Sequence, residues 1–117
     1  MALVSNQDEK YAQAKRIRDR VKAYGEKRKA AVAEAEEAYN EAKLAAALRQ
    51  AFFIKCKKAY ESNPTDENKS KCYFAKKRFN ESVWTADAKL GTVQSEASFS
   101  NKIQRVVSMA EYIPMNG

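Results

Sequence analysis

From about Asn6 to Ser62 the chain has no proline and a single glycine, Gly25, and its apolar residues recur in alternating steps of four and three. Ile17, Val21, Tyr24, Ala31, Ala35, Ala38, Ala42, Ala45, Phe52, Cys56 and Ala59 keep that rhythm, interrupted by Arg28 and Arg49. The spacing is that of one face of a helix, so the pattern predicts a helix over 6–62. With Ile17 named as heptad position d, Ala14, Val21, Ala35, Ala42 and Cys56 fall at a, and Val32, Tyr39, Ala46, Phe53 and Tyr60 at e. An a/d/e stripe suits a helix packed against more than one neighbour rather than a simple two-stranded zipper.

The rhythm breaks at Glu61-Ser62-Asn63-Pro64-Thr65-Asp66-Glu67. Asn63 is a capping residue type, proline is favoured at the first helical position, and Asp66 and Glu67 put negative charge on a helix's positive end. A second helix is therefore expected over 64–112, with Cys72, Phe79, Val83, Ala86, Leu90, Val93 and Ala97 on its stripe. Gly91-Thr92 is a point where it could weaken or kink. After Ser98 the apolar positions become Phe99, Ile103, Val106, Ala110 and Ile113, a phase shift of the kind a stutter gives, and Pro114 and Gly117 close the pattern. Two long heptad helices joined by two or three residues fold back antiparallel. The expected fold is all-α: one helical-hairpin domain, 1–117, coiled-coil-like, with frayed termini. A single rod kinked at the proline is the alternative.

Composition changes this picture in one respect. Twenty of the 117 residues are alanine, and Leu, Ile, Val and Phe together also number twenty, so the stripe is thin. Small domains bury a small fraction of their surface to begin with. Part of the apolar face is therefore expected to be covered by another chain.

Chemistry is scarce. The chain has no histidine, which removes the commonest general base together with Ser-His-Asp and Cys-His catalysis. Two cysteines alone do not complete a four-ligand zinc site. Three glycines leave no phosphate-binding loop. No enzyme activity, cofactor or metal is expected. The turn lacks the Trp-x-Gly of secreted WXG-type hairpins, and two cysteines are too few for the twin Cx9C pattern.

With the hinge at Pro64, Cys56 lies eight residues before it and Cys72 eight after, which places both thiols at one level on the seam. They are either small core residues or a disulfide pair, and a reducing compartment favours free thiols.

The formal charge is +7, gathered at two poles of +5 each. In the first, Lys15, Lys22 and Lys29 are spaced seven apart with Arg16, Arg20 and Lys27 beside them. In the second, at the hairpin tip, Lys55, Lys57, Lys58, Lys69, Lys71, Lys76, Lys77 and Arg78 outnumber Glu61, Asp66 and Glu67. Such groups suit phosphate or an acidic partner. Tyr73, Phe74 and Trp84 fit the main stripe least well and are candidate partner contacts.

No stretch is apolar for the eighteen or so residues of a membrane span, and the first nine residues carry no basic-then-apolar leader. A cytoplasmic protein, or one built into a virion, is expected. The functional expectation is a structural or assembly subunit acting through helix–helix contacts, in a homo-oligomer or with other subunits of a larger particle such as a phage connector, tail or internal component. The alternative is a nucleic-acid-binding protein that uses the 15–29 face or the basic tip.

Overall fold

The computed structural model describes the backbone of Ala2–Ala110 and the side chains from Asp8 to Ala110. The fold is a long antiparallel helical hairpin: α1 is Ala2–Ser62 and α2 is Asp66–Ala110, with no strand among the described residues. α1 starts earlier than the apolar pattern indicated. Residues 111 and 112 of the expected second helix, and Ile113, Pro114 and Gly117, lie outside the described residues.

Pro64 does not open α2, and Asn63 is not its cap. The cap is Thr65, whose Oγ1 accepts the Asn68 amide at 3.1 Å while its carbonyl accepts the Lys69 amide at 2.9 Å. Asp66 and Glu67 thus occupy the first two helical positions, where their charges meet the helix dipole. Asn63 closes the turn from the other side. Its amide donates to the Ala59 carbonyl, and its own carbonyl accepts both the Thr65 amide at 2.8 Å and the Asn68 side-chain amide at 2.9 Å. These bonds satisfy backbone groups that helix ends otherwise leave unpaired.

The chain divides into two compact units, one of Glu34–Gln94 and one of Met1–Ala33 with Ser95–Gly117. In the first, the connection unit, the buried or half-buried positions of α1 include Ala35, Tyr39, Ala42, Ala46, Phe53, Cys56 and Tyr60. These are heptad positions a and e. Facing them on α2 are Cys72, Ala75, Phe79, Val83, Ala86, Leu90 and Val93, and the Phe53 and Phe79 rings stack with centroids 6.4 Å apart. The steps Ala75 to Phe79 to Val83 are both of four, so a stutter lies here. α2 runs unbroken through Gly91 and Thr92.

In the terminal unit the covered positions of α1 are again a and e: Ala14, Arg18, Val21, Gly25, Arg28 and Val32. α2 meets them with Ala97, Ser100, Gln104 and Val107. The expected shift to Phe99, Ile103 and Val106 is not what the helices do, since Phe99 and Val106 are exposed while Ser100 is buried. Gly25 explains the choice. A Cβ there would lie 2.7 Å from Val107 Cγ2, so the missing side chain lets the backbones approach, and the Gln104 side-chain amide donates to the Gly25 carbonyl at 3.0 Å. Nearby, Arg28 forms a half-buried ion pair with Glu96 and lies over the Phe99 ring, 4.9 Å from its centroid. This seam is held by polar contacts as much as by apolar area, and the Arg18 and Arg28 Nε atoms are buried in it without a hydrogen-bond partner.

The apolar core is correspondingly small. Among the described residues only Cys56, Ala75, Ala86 and Ala110 are buried apolar positions. The chain exposes 9146 Å², against about 6,400 Å² expected of a compact monomer of this mass.

Candidate functional site

A helix turns by about 100° per residue, so in α1 the d column lies about 80° to one side of an a/e seam and the b column about 80° to the other. α2 therefore covers only two columns of the three-column stripe, and d is left outside. Ile17 is 53% exposed, Phe52 is 52% exposed and Tyr24 is also exposed, while the remaining d positions are alanines. The expected a/d/e packing is corrected to a/e packing with a bare d column. The reason is bulk: over 32–60 the e column carries Val32, Tyr39, Phe53 and Tyr60, whereas d offers alanine everywhere but Phe52. Burying e removes more apolar area from water.

In the connection unit the d column forms one wall of a groove. Phe52, Phe74, Ala75 and the stems of Lys71 and Arg78 line a space of about 480 Å³. A second space of about 300 Å³, bordered by Phe52, Lys55, Cys56, Ala59 and Lys71, continues it along α1. Of its cations Lys71 is already paired with Glu67 at 3.3 Å. Tyr73 packs edge-on against Phe74 with centroids 5.5 Å apart, and Tyr73, Phe74 and Trp84 are all more than half exposed. Phe74 thus joins Phe52 in the groove, and Trp84 lies outside it. On the opposite face Lys43 sits over the Tyr39 ring at 4.7 Å, beside a space of about 420 Å³ reaching Gln50, Val83 and Asp87.

In the terminal unit the bare d column is Ile17, Tyr24 and Ala31. The contact of Arg28 with Phe99 puts that exposed ring on the same side, and Val106, one heptad further on, shares its column.

Every basic residue singled out in the sequence is exposed. The 15–29 group is not one flat surface, however. Lys15, Lys22 and Lys29 lie in the b column, where Lys22 and Lys29 flank a polar hollow of about 330 Å³ against Gln104 and Ser108. Arg20 and Lys27 lie in the g column, beyond the d column, and Arg16 points from the back at c. Around the turn, Lys55, Lys57, Lys58, Lys69, Lys71, Lys76, Lys77 and Arg78 surround the two helix ends.

Cys56 is buried, Cys72 is half-buried, and both thiols are free. Among the described residues no three acidic or cysteine side chains are grouped as a metal site, and no helix is long and apolar enough to cross a membrane. One charge pattern escaped the sequence reading. Segment totals of five basic and five acidic groups over 31–62 hide an ordered arrangement, with Glu34, Glu36, Glu37 and Glu41 all before Lys43 and Lys55, Lys57 and Lys58 all after Arg49. Reading the charges column by column reveals it. No family model, curated protein or solved structure matches the chain, so its exposed faces alone bear on what it does.

Proposed function

We propose that this protein is a non-enzymatic structural subunit whose hairpins associate with one another through helix–helix contacts, in a homo-oligomer or a larger particle. The observation that carries this reading is the bare d column. An apolar heptad column on a hairpin whose own core is mostly alanine is surface that a second helix removes from water. The surplus of exposed area over a compact monomer points the same way.

Sedimentation velocity over a micromolar concentration series tests it. The chain should run as an oligomer, and Phe52→Glu, which places a charge in the d column without touching the a/e seam, should move it toward monomer with helicity unchanged. A folded wild-type chain that stays monomeric throughout the series overturns the reading.

A second reading, nucleic-acid binding, is favoured by the Lys15–Lys22–Lys29 column, three exposed cations on one side of α1. Three phosphate contacts give a log–log salt slope of roughly −2.7. Anisotropy with a labelled duplex should show that slope and its loss in the triple Lys→Glu variant. Absence of binding at low salt removes this reading.

A further inference from the structure

Beside the bare d column of α1 runs the g column, and in the connection unit the two together form an exposed four-three strip: Glu34, Ala38, Glu41, Ala45, Leu48, Phe52, Lys55, Ala59. Leu48 is 65% exposed and nothing in the chain covers it. The strip reads the same way from both ends in complementary charge. Glu41 lies seven residues before Leu48 and Lys55 seven after it. The apolar positions match as well, because a reversal about Leu48 brings Phe52 level with Ala45 and Ala38 level with Ala59, large against small and small against small. A surface that complements itself on reversal is what a two-fold interface requires.

We propose that two copies of this chain pack antiparallel through this strip, with the two-fold axis passing beside Leu48. Leu48 then meets its own copy, each Phe52 covers the other chain's Ala45, and each Glu41 lies opposite the other chain's Lys55. A parallel, in-register pair is disfavoured on the same residues, since it sets Glu41 against Glu41 and Lys55 against Lys55. The terminal unit cannot serve in the same way: its d/g strip is Ile17, Arg20, Tyr24 and Lys27, basic throughout, and it repels its own copy. The strip from Ala38 to Ala59 is about 33 Å long at 1.5 Å per residue, which is six turns of helix–helix contact.

The inference rests on the self-association proposed above, and its test separates the two. Sedimentation at low ionic strength, where surface charge is least screened, is compared for wild type, Glu41→Lys, Lys55→Glu and the double variant. Each single reversal turns both ion pairs of the dimer into repulsions and should weaken association by about tenfold, given the modest worth of each exposed pair. The double reversal should restore it, and an equimolar mixture of the two single variants should associate as well as wild type does. All four positions are exposed or in solvent-facing columns, so circular dichroism should be unchanged. In a Cys56→Ser, Cys72→Ser background, Leu48→Cys should crosslink chain to chain on mild oxidation and Glu41→Cys should not. Wild type that is monomeric overturns both the self-association and this register. Wild type that associates, but with single reversals neutral, with no rescue in the double, or with Glu41→Cys crosslinking as well as Leu48→Cys, overturns the antiparallel register and leaves self-association standing.

Discussion

The two glycines inside the helices give opposite predictions for the same substitution. Glycine in a helix interior costs roughly 1 kcal/mol relative to alanine, so Gly→Ala stabilises wherever the new methyl has room. At Gly91 nothing lies within 4 Å of the added Cβ, and Gly91→Ala should raise stability by about 0.5–1 kcal/mol. At Gly25 the same methyl arrives 2.7 Å from Val107 Cγ2, well inside the roughly 3.5–4.0 Å of good carbon contact. Val107 is β-branched and on a helix has essentially one χ1 rotamer to offer, so it cannot step aside cheaply. Separating the helices instead lengthens the 3.0 Å bond from Gln104 to the Gly25 carbonyl. Overpacking of this kind costs about 1–3 kcal/mol, which exceeds the propensity gain, and Gly25→Ala should lose about 1 kcal/mol net. The gap between the two variants, about 2 kcal/mol, corresponds to roughly 8 °C in Tm for a chain of this size. Thermal melts by circular dichroism at one fixed protein concentration measure it, since association shifts Tm by mass action. Adding Val107→Ala to Gly25→Ala should give a double variant more stable than the sum of the singles by about 1 kcal/mol. A Gly25→Ala variant that melts as high as Gly91→Ala refutes the close approach of the helices at that level.

Three further outcomes follow from contacts in the two units. Thr65→Ala removes the hydroxyl that caps α2 and should cost about 1 kcal/mol in denaturant unfolding, whereas Asn63→Ala, which leaves the capping hydroxyl and the Asn63 carbonyl in place, should cost less. Glu96→Gln leaves the half-buried Arg28 guanidinium without its counter-charge and should lose about 1–2 kcal/mol; replacing both residues by Met should recover most of it, and an unperturbed melt for Glu96→Gln would show the pair to be idle. Mild oxidation should join Cys56 to Cys72 within one chain, seen as faster migration on a non-reducing gel and as added stability of about 3 kcal/mol in the chain-entropy model; a crosslink formed only between chains would contradict the seam placement of both thiols.

The residues that made the fold legible are those whose effects are local. An uninterrupted run of helix formers over 6–62, a proline flanked by Asn, Thr, Asp and Glu, and a second heptad run specify two helices and a reversal without reference to anything distant. Even there the cap was displaced by two residues, because Asn63 and Thr65 are both capping types and only the bonds to Asn68 and Lys69 distinguish them. The choice of seam lay beyond the sequence. A helix apolar at a, d and e contains two equivalent four-three seams, a/d and a/e, and periodicity scores them alike. Which one is used depends on what α2 presents: Phe79 for Phe53 to stack on, and Val107 and Gln104 to close over Gly25, which as a sequence signal reads only as a weak point in a helix. That tertiary choice buried Arg28 with Glu96, left Phe99 and Val106 in solvent, and turned the d column of α1 from core into surface. Helix existence is set by neighbours within a turn or two along the chain, whereas the face a helix buries is set by the surface packed against it.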